Sequence, residues 1–395
     1  MDKIFFKKLF SNLSTETFEV EFWDGSIEKF GDGEITFRIK FNKPIEKNAI
    51  LEDASLAFGE AYMNEDIEFQ GNLQKIIESV YKNKKSFLNE HKLLNKLLKL
   101  KGTSIKKQKQ DISHHYDLGN DFYKIWLDES MTYSCAYFEN CSDSLAQAQS
   151  NKVDHILRKL NLSEGQKLLD IGCGWGTLII RAAKEYKVHS VGITLSQEQF
   201  NEVTKRIAAE HLEGQVEVKL MDYREMTKEK IIFDRIVSVG MLEHVGQANL
   251  PVYMETVDKL LTYNGVALVH CITGLHETEG NQWIGKYIFP GGHIPSVNSI
   301  IETFPQHDFH IVDIESLRLH YNRTLEHWVA NFEANLDKVR ALGFDEKFIR
   351  MWRLYLNACA ASFHYGVVDV HQILFTKGLN NDIPMTRDYM LVECK

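Results

Sequence analysis

Nowhere in its 395 residues does this chain run apolar for the ~18–20 positions a membrane-spanning helix needs, which excludes such a helix. Its start, Met1-Asp2-Lys3, lacks the pattern of a secretory signal, so export is not expected. The six cysteines (Cys135, Cys141, Cys173, Cys271, Cys359, Cys394) form no Cys-x-x-Cys pair and no even framework. That argues against a disulfide scaffold and for a reduced, cytosolic setting. The cluster His114-His115-x-Asp117 has no second group at ligand spacing, so no metal is expected. An overall basic charge is missing as well. The formal net charge is −9, which speaks against general polyanion binding, nucleic acid included.

The length exceeds one typical core, so two domains are expected, and 44% apolar residues are ample for a folded chain. Charge is unevenly placed. Residues 81–110 hold ten lysines against the single acid Glu90, a local +9 within a chain of −9. Phe87, His91, Leu94 and Leu98 share one helical face there, and Lys85, Lys92, Lys96 and Lys99 decorate the remainder. A basic amphipathic helix of this kind suits an anionic membrane surface; an ordinary surface helix with solvated lysines gives the same pattern. Residues 102–110 are poor in apolar side chains and read as a linker. Residues 1–80 read as a small α+β domain. Strands at 18–23 and 26–30 flank the turn Asp24-Gly25, an alternating strand covers 35–41, and helices cover 56–64 and 73–81. No chemistry is visible in it, which leaves a packing or lipid-docking role.

The most informative stretch is 167–177, Lys-Leu-Leu-Asp-Ile-Gly-Cys-Gly-Trp-Gly-Thr. A short apolar run of the buried-strand kind carries Asp170 near its end. Gly172, Gly174 and Gly176 follow at alternate positions, and a helical pattern then opens. Such a turn lets the backbone close tightly against a nucleotide-like ligand. Dinucleotide enzymes place the third glycine three positions after the second to cradle a pyrophosphate. Here it comes after two, with Trp175 in the gap, which favours a ligand without phosphates, such as the methionine end of S-adenosylmethionine.

From residue 142 helix and strand alternate, with strands at 167–171, 188–193, 216–220, 233–239 and 265–271. A mainly helical tail starts at 325, and 370–375 reads as a last strand. This order implies an α/β fold: a doubly wound, mostly parallel, Rossmann-like sheet with helices on both faces. Ligands of such sheets bind outside the carboxyl ends of the strands. Residues 172–176, 194–199, Asp222, Tyr223, Glu243, His244 and His270 are therefore site candidates. Ser196 with Gln199 predicts a capping box. The insertion 274–296 reads as a lid or pocket wall. The aromatic-rich stretch 122–138 either packs a core or lines a pocket for a cation such as a sulfonium.

Five motifs in order closely resemble the cyclopropane-fatty-acyl-phospholipid synthases. They are Tyr133-Ser134-Cys135-Ala136-Tyr137-Phe138, Leu169-Asp170-Ile171-Gly172-Cys173-Gly174-Trp175-Gly176, Gly192-Ile193-Thr194-Leu195-Ser196-x-x-Gln199, Leu242-Glu243-His244-Val245-Gly246 and His320-Tyr321-x-x-Thr324-Leu325. The resemblance is to the long form of that family, with an N-terminal domain. It implies a class I methyltransferase fold divided into an accessory domain at 1–80, a basic helix and linker at 81–110 and a catalytic domain at 111–395. Tyr133, Ser134, Gly172, Gly174, Thr194, Gln199, Asp222 and Tyr223 would hold S-adenosylmethionine, with Asp170, Gly176, Leu195 and Ser196 completing that site. Generic methyltransferases carry an acid at the end of the second strand; Thr194-Leu195-Ser196 stands there instead, with Gln199 as the substitute.

The same resemblance implies a bicarbonate held by Cys135, Glu243, His270, Tyr321 and the backbone of Ile272. Cys359 matches a cysteine long suspected in the family, although a small buried packing residue is the simpler reading of its helix. The implied reaction places a methylene across the cis double bond of an unsaturated phospholipid chain. Methyl transfer leaves a carbocation, which Tyr137, Tyr287 or Phe289 would stabilise through their faces, and bicarbonate takes the proton. The expected partners are that phospholipid and an anionic membrane surface, with the enzyme cytoplasmic and peripherally bound to the inner face. A homodimer stays open. So do a related methyltransferase giving a methyl-branched lipid or methylating a small amine, and a non-catalytic cofactor-binding module.

Overall fold

The computed structural model describes residues 2–13, 16–83, 118–276 and 280–391. Residues 84–110 of the expected basic helix and linker, and the cluster at His114, His115 and Asp117, lie outside the described residues. Packing divides the chain into two units. One comprises the described residues of Met1–Leu100 with Gly280–Pro290 and Leu325–Val367; the other comprises those of Lys101–Glu279, Gly291–Thr324 and Val368–Lys395.

In the first unit Phe18–Glu21 (β1), Ile27–Phe30 (β2), Phe37–Phe41 (β3) and Ile67–Gln70 (β4) form a sheet in the order β2-β1-β3-β4. Asp24-Gly25 makes the expected turn: Gly25 has φ 76° and its amide donates to the Phe22 carbonyl at 2.8 Å. Alternation along β3 sends Phe37, Ile39 and Phe41 inward. They share a core with Phe6 and Phe10 of the helix Asp2–Ser11, an element that the sequence reading left unmarked.

Two later stretches complete this core. Arg350, on the helix Glu346–His364, places its guanidinium 4.1 Å from the Tyr62 ring centroid and donates to the carbonyls of Tyr62 and Ile67. Trp283, on the short helix Gln282–Tyr287, packs against Gly59 of the helix Ala54–Met63, where a Cβ would stand 2.4 Å from the indole ring. Glu60 pairs with Lys286 and accepts from the Tyr287 hydroxyl at 2.7 Å. The sequence-based division placed 280–290 and 325–367 with the catalytic domain; by packing, both join the N-terminal strands.

The second unit is built on Lys167–Ile171 (β5), His189–Thr194 (β6), Val216–Leu220 (β7), Phe233–Val239 (β8), Leu261–Thr273 (β9), Phe309–Ser316 (β10) and Asp369–Lys377 (β11). Their order is β10-β11-β9-β8-β5-β6-β7. All neighbours are parallel except β11, which is antiparallel to both β9 and β10. The chain moves outward from β5 to β6 and β7, then returns to lay β8 on the other side of β5. That reversal opens a crevice at the carboxyl end of β5. β10 escaped the sequence reading because it is an edge strand of mixed polarity, with Ile311 and Ile314 exposed. Among the described residues no helix is long and apolar enough to cross a membrane.

Gly59→Val is expected to destabilise the first unit by about 1–3 kcal/mol through overpacking against Trp283. A lower urea midpoint would report it; an unchanged midpoint would mean that the two helices part at no cost.

Candidate active site

The crevice at β5 is a cleft of about 1100 Å³ of empty space, its open mouth included. Gly172, Gly174 and Gly176 have φ of 89°, 54° and 84°, all left-handed. A Cβ at Gly172 would press on Met241 at 3.1 Å, and one at Gly176 on Val203 at 2.9 Å. At Gly174 nothing lies within 4 Å, and this residue lines the cleft. Gly174 therefore keeps ligand space open, whereas Gly176 caps the helix Thr177–Tyr186 and does not line the cleft. Trp175 is buried, its Nε1 donating to Asn120 Oδ1 at 2.9 Å.

At the end of β6 the Thr194 hydroxyl donates to Gln199 Oε1 at 2.7 Å. Ser196 caps the helix Gln197–Ala209 by accepting from the Gln199 amide at 3.3 Å. The expected capping box is thus half made: the Gln199 side chain turns to Thr194 instead of reaching back. Thr194, Leu195 and Gln199 line the cleft and Ser196 does not. At the end of β7, Asp222 and Tyr223 line it too. Arg224 holds both Asp222 carboxylate oxygens, at 2.6 and 2.8 Å, and the Tyr223 hydroxyl is buried without a partner.

Tyr133, Ser134 and Asp170 line the same cleft, together with Lys152, which the sequence reading missed. Lys152 Nζ donates to Ser134 Oγ at 2.9 Å. It sits on the helix Leu145–Lys159, where a lysine among His, Arg and Asp reads as solvent-facing.

A second polar group lies beyond this lining. Glu243, in the 3₁₀ turn after β8, accepts the Ile272 amide on Oε1 at 2.6 Å, while its Oε2 is enclosed without a partner. Burial pushes the Glu243 carboxyl up to about 7 against the Ile272 hydrogen bond. His270 faces Gln372 across the β9–β11 ladder, Gln372 Nε2 meeting His270 Nδ1 at 3.3 Å. With Gln372 donating to Nδ1, the ring hydrogen sits on Nε2, which is enclosed and unpartnered. Burial holds His270 down at about 3, so the ring is neutral. The Gly240 amide, on the cleft wall, donates to the His270 carbonyl at 2.8 Å.

Cys135 is fully buried; its thiol donates to the Ala136 carbonyl at 3.2 Å and burial pushes it up, so it stays protonated. Its longer contact, 3.8 Å, is to the Leu317 carbonyl, which also accepts the Tyr321 amide. Glu243 and Ile272 are in contact and His270 stands two residues from Ile272 on β9, whereas Cys135 hydrogen bonds to neither Glu243 nor His270. Cys359 lies on the helix Glu346–His364 in the other packing unit, its thiol raised to about 12 by burial. Tyr137 is sandwiched between the His155 and His320 rings, at 4.2 and 4.7 Å and within 16° of parallel. Both faces are covered, so it cannot offer one to a carbocation. Tyr287 and Phe289, the other aromatics expected in that role, belong to the first packing unit.

Residues 103–373 match the mycolic acid cyclopropane synthetase family, and residues 5–92 match a domain of unknown function (DUF7884). The chain belongs to the mycolic acid cyclopropane synthetase family. A probable fatty acid methyltransferase of Pseudomonas putida is 44% identical over 289 residues, covering 71% of this chain and 73% of that protein. The cyclopropane-fatty-acyl-phospholipid synthase of Escherichia coli (strain K12) is 37% identical over 356 residues, 88% of this chain and 90% of that one. Among solved structures, mycolic acid cyclopropane synthase CmaA1 complexed with SAH and CTAB aligns at 36% identity and a TM-score of 0.64, covering 68% of this chain and 98% of that one. The chain is an S-adenosylmethionine-dependent methyltransferase of the cyclopropane fatty acid synthase type, and the class I fold read from the strand order is the fold of these relatives.

The cleft suits that cofactor: open space at Gly174, hydroxyl and amide groups at Thr194 and Gln199, and an unpartnered buried carboxylate oxygen on Asp170. Gly174→Val is expected to abolish S-adenosylmethionine binding measured by calorimetry, because its side chain would fill that space. Unchanged affinity in a folded variant would move the cofactor elsewhere.

Proposed function

We propose that this methyltransferase forms cyclopropane rings on the unsaturated acyl chains of phospholipids, with bicarbonate as the base. The carrying observation is two enclosed polar atoms without partners among the described residues, Glu243 Oε2 and His270 Nε2–H, with Glu243 held by the Ile272 amide two residues along β9 from His270 and the His270 carbonyl bonded to Gly240 of the cleft wall. Methyl transfer to an alkene leaves a carbocation, and forming the ring from it needs a place for the departing proton, which such polar atoms help to supply. The E. coli relative, which also spans the N-terminal region, is named a phospholipid-directed synthase, and this supports the choice of substrate.

When bound, S-adenosylmethionine supplies an electrophilic methyl group and bicarbonate a weak base. The residues of the chain have three tasks. The glycine turn and the Thr194–Gln199 pair would hold and orient the cofactor for transfer to the alkene. The neutral His270 donates from Nε2 to an anion. Glu243, titrating near neutrality, gives or takes a hydrogen bond on Oε2 as the proton of the added methyl leaves and the ring closes. Ile272 acts one step back, its amide holding Glu243 in place. Cys135 likewise serves as a packed thiol, its S–H spent on a carbonyl.

Lipids from cells expressing the chain should gain one CH₂ on monounsaturated chains with loss of the alkene, read by mass spectrometry after ozonolysis. A product that keeps its double bond would replace ring closure with simple methyl or methylene addition. Glu243→Gln should lower cyclopropane formation at least ~100-fold, within the range of general acid–base effects, with near-normal cofactor affinity. Bicarbonate-depleted buffer should slow the native enzyme and added bicarbonate restore it. Normal turnover in the variant, with a native enzyme indifferent to bicarbonate, would remove the proposed base.

The enzyme is further proposed to work in the cytoplasm, docked on the inner membrane face by the lysine-rich segment 82–109. Replacing Lys92, Lys96, Lys99, Lys106 and Lys107 by Gln should weaken binding to anionic vesicles, by up to about 1 kcal/mol per lysine. Added salt should mimic the change by screening. Vesicle binding that survives both treatments would assign docking to another face.

A further inference from the structure

His270 is one member of a polar row that crosses three strands. In register it faces Gln372 on β11, and Gln372 faces Glu315 on β10. Directly paired residues stand on the same face of a sheet, so the three side chains follow one another from an inner strand to the edge. Gln372 is fully buried and His270 nearly so, whereas the Glu315 side chain is 29% exposed. At the outer end Glu315 Oε2 accepts from His155 Nε2 at 2.7 Å and from Lys159 Nζ at 2.5 Å. At the inner end stands the enclosed His270 Nε2. A row with an ionisable group at each end has the layout of a proton path, but its middle member does not conduct. The Gln372 amide nitrogen donates to His270 Nδ1 and keeps its hydrogens, and its Oε1 is buried without a partner among the described residues.

We propose that Gln372 is a positioning residue that locks His270 as a fixed donor and insulates it from Glu315, so that the proton released on ring closure is carried by Glu243 and not through His270. Donation to Nδ1 occupies the one lone pair of the neutral ring and leaves the hydrogen on Nε2, the atom that meets an anion. The ring takes up no second proton while that contact lasts, and burial, with Lys152 and Lys159 nearby, holds it neutral. Glu243 differs in each respect. Its Oε2 is open, and burial raises its carboxyl to about 7 against the Ile272 hydrogen bond. As the ring closes, the C–H electron pair makes the last C–C bond, and the proton passes by way of the base to Glu243 Oε2. The inference rests on the ring-closure reading and adds which of the two groups carries the proton, and what keeps the other from doing so.

The test reads the His270 tautomer directly, by nitrogen-15 NMR of the full chain labelled at histidine, with His270→Asn identifying the signal by its loss. The wild type should carry the hydrogen on Nε2. In Gln372→Glu the new side chain accepts where the amide donated, so the hydrogen should move to Nδ1. Ring formation should then fall in kcat by about 100- to 10,000-fold, between the loss of a general acid–base group and that of a histidine in the wrong tautomer. Gln372→Met, which offers no donor, should lose the preference for Nε2 and about tenfold or more in kcat. Both variants should bind S-adenosylhomocysteine within about threefold of the wild type by calorimetry. Hydrogen on Nδ1 in the wild type overturns the lock without any variant. So does a variant that turns over as the wild type does, or one whose cofactor affinity falls in step with kcat, which marks a packing role. A wild type indifferent to added bicarbonate overturns the base reading instead, and the tautomer and the kcat of the two variants then decide the lock by themselves.

Discussion

Two backbone amides converge on one carbonyl: those of Gly172 and Cys173 both donate to Ile193 at 3.0 Å. This fork fastens the turn after β5 to the end of β6. The chain must then reach the helix Thr177–Tyr186 through left-handed conformations at Gly172, Gly174 and Gly176, which side chains disfavour. The rest of the cleft takes its place from that fastening. Asp170 is held next to last on β5, Thr194 closes β6 over Gln199, and Gly176 settles against Val203 of the following helix. A ligand space appears at Gly174 because the turn has nowhere else to open.

Much of this was legible in the sequence. β5 and β8 fall where largely apolar runs end in glycine, as inner strands do, whereas the edge strand β7 showed by alternation, Val216, Val218 and Leu220 against Glu217 and Lys219. The rule that such sheets bind at their carboxyl ends picked out Gly172, Gly174, Thr194, Gln199, Asp222 and Tyr223, all of which line the cleft. What escaped reading was hidden by context. β10 pairs on one side only and alternates poorly, so no periodicity betrays it. The helix Leu145–Lys159 inverts the usual rule: Gln149, Lys152, His155 and Lys159, spaced three, three and four apart, form a polar stripe that faces inward. Periodicity alone assigns such a stripe to water. Only the partners reveal its burial: Ser134 for Lys152, the carbonyls of Thr132 and Ser134 for Gln149, and Glu315 for both His155 and Lys159. The half-made capping box at Ser196 failed for a similar reason, since Gln199 found a better partner in Thr194.

The polar interior has a common logic. Arg235 is a buried group that is saturated: it gives its guanidinium to the carbonyls of Leu160, Asn161 and Asp234. Around the cleft and behind it, Asp170, Tyr223, Glu243 and His270 are instead left with open valences. A protein gains stability by closing such valences, so leaving several open in one place is a cost borne for a ligand. The Tyr137 sandwich shows the contrast from the other side: an aromatic fully stacked on both faces is a strut.

The interleaving of the two packing units bears on how the chain matures as it leaves the ribosome. The sheet of the first unit begins with β1, yet that unit lacks Arg350 and the helix Glu346–His364 until late in synthesis, and the sheet of the second begins with β5 yet waits for β11, the strand between β9 and β10. Neither hydrophobic core can close while only its early part has emerged, so the usual vectorial, domain-by-domain order is blocked. The nascent chain must carry two unfinished cores at once, with the phenylalanine-rich sheet and the β9 edge both awaiting cover. Burden of this kind falls on chaperones, and it grows with anything that slows the last third of translation.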